Sequence, residues 1–183
     1  LTQPLGVTDA SGMATGSLSA TVTGARTISA TVNGVALTGT TSVTVVPGAV
    51  SPTLSTITGI PTTLVAGVEV SAVTVTARDG LGNAVPGATV VIAATGTNNT
   101  IIQPASVTNA SGVATGSFGS TVAESKTLSA TINGVALSSA VTVSVTPGAI
   151  SAARSLVSAA PTSLVAGGGS STITVTARDA NDN

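Results

Sequence analysis

Along most of this chain, apolar residues recur at every second position. Val73, Val75 and Ala77 alternate with Thr74, Thr76 and Arg78, and Val141, Val143 and Val145 alternate with Thr142, Ser144 and Thr146. Leu128, Ala130 and Ile132 do the same against Thr127, Ser129 and Thr131. Successive side chains of a strand point to opposite faces, so this period predicts half-buried antiparallel strands, and the β-branched composition suits them. No window carries a sustained 3.6-residue apolar period, and no helix is predicted. Turn chemistry separates the runs. Asn33-Gly34 and Asn133-Gly134 lie between strand patterns and predict tight hairpins, because both residue types tolerate the positive φ of a type I′ turn. Pro86-Gly87, and the turns opened by Asp9 and Asn109, mark further reversals.

In the best-defined stretch the predicted strands run roughly 54–58, 62–66, 70–78, 88–95, 101–108, 113–121, 126–132 and 135–146. Short strands at this spacing predict an all-β, two-sheet sandwich. Its core is built from Val, Ile, Leu and Ala, with Phe118 the only aromatic residue. The run Val90-Val91-Ile92-Ala93-Ala94 reads as a strand buried on both faces.

The same pattern occurs again one hundred residues away. Asp9-Ala10-Ser11-Gly12 falls on Asn109-Ala110-Ser111-Gly112, Thr31–Leu37 on Thr131–Leu137, Pro47-Gly48-Ala49 on Pro147-Gly148-Ala149, and Thr74–Asp79 on Thr174–Asp179. Such a period is the size of a whole domain rather than of a solenoid unit. The chain therefore reads as tandem sandwich domains: 1–50 the second half of one unit, 51–149 a complete unit, and 150–183 the first strands of another. The junctions at Pro47-Gly48 and Pro147-Gly148 contain no Gly/Ser tract long enough to behave as a coil, so a stiff rod is predicted, growing by roughly 35–45 Å per unit. The two flanking pieces together lack the equivalent of Ala84–Thr100. The expectation is that the chain is a window on a longer array, not a subunit completed head to tail by its neighbours.

Composition narrows the function. The 183 residues contain no Cys and no His, only 6% are charged, and the net charge is −1. No basic field exists to attract nucleic acid. Mean hydropathy is +0.59, yet the longest apolar runs are far short of a membrane span. Nucleophile and general-base chemistry lack their usual residues, so no catalytic residue and no cofactor is assigned. The loop Asp179-Ala180-Asn181-Asp182-Asn183 offers oxygens of Asp179, Asn181, Asp182 and Asn183 at a spacing that calcium uses. Its counterpart Asp79-Gly80-Leu81-Gly82-Asn83 keeps few of those donors, so the shared Asp and Asn are read as turn residues and no metal is assigned. Arg78 and Arg178 read as exposed strand-end residues with local pairing. A Lys–Asn cross-link common to all units is not expected, because Lys126 corresponds to Arg26. Asn98-Asn99-Thr100 and Asn109-Ala110-Ser111 match the glycosylation sequon, a short and weak signal.

Three stretches at these spacings resemble the group-1 bacterial immunoglobulin-like repeat of invasin- and intimin-type surface adhesins. They are Val73–Val90 with its Asp79-Gly80-Leu81-Gly82-Asn83 turn, Val107–Thr115, and Lys126–Gly134. The resemblance implies a sandwich fold and a spacer role at the cell surface or outside the cell, and supplies no ligand. The leading functional reading is a structural array forming a stalk, sheath or filament, its partners being like domains in the same or neighbouring chains, with a homopolymer as one form. The alternative is an adhesin module binding a host receptor, a glycan or a neighbouring cell. Such a site would stand out as a patch of aromatic or arginine residues departing from the repeat, and none is visible. A carbohydrate-binding accessory domain suffers from the absence of Trp and Tyr.

Overall fold

The computed structural model describes all 183 residues and contains strands but no helix. An N-terminal flank carries β1 (Gly24–Ile28), β2 (Thr31–Val32), β3 (Val35–Ala36) and β4 (Thr41–Val45). The central part carries β5 (Thr56–Ile60), β6 (Thr63–Val65), β7 (Ser71–Thr76), β8 (Val90–Ala94), β9 (Asn99–Ile102), β10 (Val113–Ser120), β11 (Ser125–Ile132), β12 (Val135–Ala136) and β13 (Val141–Thr146). A C-terminal flank adds β14 (Leu156–Ala160) and β15 (Thr172–Thr176).

The central strands form an immunoglobulin-like sandwich. One sheet has the order β5-β7-β10-β9; the other has β12-β11-β13-β6, with β8 on the opposite side of β11. Pairing is antiparallel except between β13 and β6. Alternation decides which face is inside. On β7, Val73 and Val75 are fully buried, and on β11 the inward positions are Lys126, Leu128, Ala130 and Ile132. Phe118 of β10 is buried completely, its backbone beside Ser71 on one side and Ile101 on the other. Apart from Lys126, these inward residues belong to one continuous apolar core that also takes in Ile57, Leu64, Ile92, Val143 and Val145.

Three expectations from the sequence need correction. Val90–Ala94 is buried on one face only: Val90 and Ile92 point inward while Val91 is 51% exposed, because the outer face of the β8–β11 pair looks to solvent. The stretch 101–108 leaves the sheet after Ile102; Pro104 has no N–H to continue a ladder, and Gln103 and Thr108 bond sideways instead. The stretch 135–146 is broken, since β12 pairs with the end of β11 (Thr131, Ile132) whereas β13 pairs with its beginning (Ser125–Leu128).

The hundred-residue repeat extends to pairing register. Thr27 faces Ser42 as Thr127 faces Thr142, Thr31 faces Ala36 as Thr131 faces Ala136, and Leu156 faces Thr176 as Thr56 faces Thr76. The hairpin residues repeat in conformation too: φ is 50° at Asn33 and at Asn133, 81° at Gly34 and 80° at Gly134.

Candidate functional site at the junctions

The chain leaves β7 through Ala77-Arg78 into Asp79, whose side chain organises everything near it. Asp79 is only 2% exposed. Its Oδ1 accepts the backbone N–H groups of Leu81 at 2.9 Å and Asn83 at 2.8 Å. Its Oδ2 accepts the N–H of Gly48 at 3.0 Å and the side-chain amide of Asn83 at 2.9 Å. One carboxylate thus closes its own loop and ties that loop to the Pro47-Gly48 junction. These donors hold its pKa at about 2, the Asn83 amide contributing most and Gly48 next, against an opposing effect of burial.

Asn83 extends the network across the junction. Its Nδ2 donates to the Thr21 carbonyl at 2.9 Å, and its Oδ1 accepts the Thr23 N–H at 3.3 Å. The N-terminal flank is therefore gripped by both ends of one amide side chain. Beneath it, Ser51 donates its N–H to the Arg78 carbonyl at 2.7 Å. The Ser55 hydroxyl accepts the Arg78 N–H at 2.9 Å and donates to its carbonyl at 3.2 Å. This is a side chain standing in for a strand neighbour.

The second junction repeats the first, atom for atom, one hundred residues on. Asp179 accepts from Asn181 N (2.8 Å), Asn183 N (3.0 Å), Gly148 N (2.8 Å) and Asn183 Nδ2 (2.8 Å). Its pKa is likewise held at about 2, with Asn183 first among the causes and Gly148 second. Asn183 donates to the Thr121 carbonyl at 3.0 Å and accepts the Ala123 N–H at 2.8 Å. Ser151 and Ser155 make the same bonds to the backbone of Arg178. One bond is particular to this junction: Asn181 donates to the Ala66 carbonyl at 3.2 Å, beside Gly67, whose φ is +70° and where a Cβ would stand 2.9 Å from the amide nitrogen.

The candidate calcium donors are placed by this geometry. The Asp179 oxygens face four N–H groups, Asn181 and Asn183 turn their amides to backbone, and Asp182 pairs with Arg154 at 2.9 Å on the surface. The chain folds these residues as a hydrogen-bonded turn whose carboxylate is already surrounded by donors. The arginines act locally, Arg78 donating to the Gly82 carbonyl at 3.5 Å and Arg178 to the Asp182 carbonyl at 2.9 Å. Of the sequon asparagines, Asn98 is exposed with φ 53°, and Asn109 accepts the N–H groups of Ser111 and Val113 to close its turn.

One feature escaped sequence reasoning. Lys126 is fully buried, its Nζ donating to the Thr97 carbonyl at 2.8 Å and pairing with Glu124. That contact, followed by the Thr97 N–H, lowers the Glu124 pKa. Extending the Leu128-Ala130-Ile132 alternation back by two residues would have put Lys126 on the core face.

No curated protein matches this chain by sequence. Among solved structures, InvD of Yersinia pseudotuberculosis aligns over 97% of the chain at 25% identity with a TM-score of 0.69. Invasin, described as a bacterial integrin-binding protein, aligns over 96% at 26% identity and a TM-score of 0.65. The Escherichia coli adhesin FdeC shares the fold over 88% of the chain, at 24% identity and a TM-score of 0.66. The chain spans 56%, 36% and 52% of those three chains respectively. The family model for the bacterial Ig-like domain (group 1) matches residues 54–146, the span from just before β5 to the end of β13, and the chain belongs to that family.

Proposed function

We propose that this chain is a stiff spacer within a bacterial surface adhesin or related surface array. Its units would be 1–50, 51–149 and 150–183, held in fixed orientation by the Asp79–Asn83 and Asp179–Asn183 clamps. The coarser statement stands on the family and on the structures it resembles: this is a cell-surface or extracellular Ig-like protein with a structural or adhesive role. The observation that supports the spacer reading is the repetition of the clamp. Two independent junctions use the same residues, the same four bonds to the carboxylate and the same pair of backbone partners in the preceding loop. A flexible tether has no need of a buried, fully bonded carboxylate at each joint.

Mechanically, each clamp couples three segments: the last strand's exit at Gly48 or Gly148, the loop after β7 or β15, and a loop of the preceding unit. Bending at the joint pulls the Asn83 amide from Thr21 and Thr23 and exposes those polar groups together, which opposes the motion. Small-angle scattering of the chain should give a particle whose cross-section and length fit a single rigid shape. Data that require an ensemble of bent conformers would overturn the spacer reading. Calcium titration followed by the same measurement is expected to leave the profile unchanged.

A further inference from the structure

The free edge of β8 carries a device that neither the family nor the spacer reading requires. β8 pairs with β11 through its odd-numbered residues, as the flanking bonds Asn133 N–H to Thr89 carbonyl and Thr95 N–H to Thr127 carbonyl fix. By alternation, the backbone groups of Ala88, Val90, Ile92 and Ala94 point the other way, to the outside of the sheet. An edge of this kind, apolar and uncharged over Val90–Ala94, is a template for a foreign strand.

Here two of these four residues, Ile92 and Ala88, are already bonded by the segment that follows β9. Gln103 folds its amide onto Ile92, accepting the Ile92 N–H at 2.7 Å and donating to the Ile92 carbonyl at 2.7 Å. At the other end, Thr108 donates its N–H to the Ala88 carbonyl, and its hydroxyl accepts the Ala88 N–H at 2.9 Å while donating to the Val85 carbonyl at 2.7 Å. The segment 103–108 is thus a strap along β8, with a buried anchor at Thr108 and an exposed one at Gln103. Pro104, following the first anchor, offers no N–H of its own to another strand. Both anchors recur as Gln3 and Thr8, and Thr2 bridges Ser17 as Ile102 pairs with Ser117.

We infer that the Gln103–Thr108 strap closes the β8 edge against lateral pairing with the β8 edge of a second copy of this unit. The second copy is the occupant because it presents the same strand, antiparallel about a two-fold axis, and because a net charge of −1 gives copies little mutual repulsion. Gln103 is the weak point. It is exposed and absent from the apolar core, so its closure rests on one amide bonded to the two backbone groups of one residue.

The test uses the full chain and Gln103→Met, which keeps bulk and removes both bonds. In dilute solution, exchange of the Ile92 amide should accelerate roughly five- to ten-fold, the equivalent of one net hydrogen bond. In concentrated solution, sedimentation velocity should show association beyond that of the unaltered chain. Adding Val91→Lys, at an exposed position on β8, should return the chain to the unaltered profile by placing like charges side by side. Unchanged Ile92 exchange in a folded Gln103→Met chain overturns the closure. Association equal to that of the unaltered chain, or association that Val91→Lys leaves intact, overturns the lateral pairing. Gln103→Ala, read the same way, separates loss of the amide from any effect of the thioether.

Discussion

Replacing Asn83 with alanine removes the two bonds that cross the first junction, to the Thr21 carbonyl and from the Thr23 N–H, together with the amide bond to Asp79 inside the loop, and leaves the Asp79–Gly48 bond in place. A net intramolecular hydrogen bond stabilises by about 1 kcal/mol, so the pair is worth about 2 kcal/mol in favour of the closed joint. At that value the open joint is populated about once in thirty, and the substitution brings open and closed forms toward parity. Asn83→Asp is isosteric but should be worse than alanine. It removes the donor to Thr21 and sets a second carboxylate against Asp79, where an amide now donates at 2.9 Å. The chain has no cysteine, so spin labels on Thr40→Cys and Ala140→Cys, both exposed and one hundred residues apart, report on the joint alone. A narrow distance distribution is expected for the unaltered chain, a broad one for Asn83→Ala, and a broader one for Asn83→Asp, with the central sandwich still folded and melting cooperatively. Equal widths in all three would refute the clamp as the source of stiffness.

Four further outcomes are expected. Phe118→Ala, at the fully buried sole aromatic, should cost about 3–5 kcal/mol of stability, read as a shift in urea midpoint at constant slope. Lys126→Ala should destabilise by about 2–3 kcal/mol and Lys126→Met by less, because the buried stem fills core volume while Glu124, 41% exposed, can turn to water. Gly134→Val should cost more than about 1 kcal/mol in denaturant unfolding, since φ at this position is 80°. Acidification should loosen both junctions. The folded pKa values of Asp79 and Asp179 lie at about 2, below the ordinary 3.8, so their contribution is complete above pH 3.8 and is lost as pH falls toward 2. Broadening of the Thr40→Cys/Ala140→Cys distances confined to that window checks it at the first junction, and the same measurement on Ala140→Cys with a label in the C-terminal flank checks it at the second.

The alternation of Val73, Val75, Leu128 and Ile132 makes the strands and their inward face legible in the sequence. Composition also put Phe118 in the core. What stayed hidden depended on contacts between distant parts of the chain. Asp79 and Asn83 look like ordinary turn residues, and nothing local says that Gly48 lies within reach of one and Thr21 of the other. Val90–Ala94 has no polar residue to mark an outward face, so only the sheet's surroundings decide that Val91 is wet. The burial of Lys126 is hard to read locally because lysine is rarely fully buried, and the carbonyl that receives its ammonium, Thr97, lies in the loop after β8, far from β11 in sequence.

Each clamp asks something peculiar of the unit before it: one backbone carbonyl and one backbone N–H, at Thr21 and Thr23 or at Thr121 and Ala123. No side chain of that receiving loop takes part. A unit that keeps the Asp–Asn pair can therefore follow any unit whose loop has the same backbone course, whatever its sequence. Joint and surface are free to diversify separately. On the spacer reading, duplication, deletion or shuffling of whole units would leave every remaining joint intact, and the number of units would become a heritable adjustment of reach.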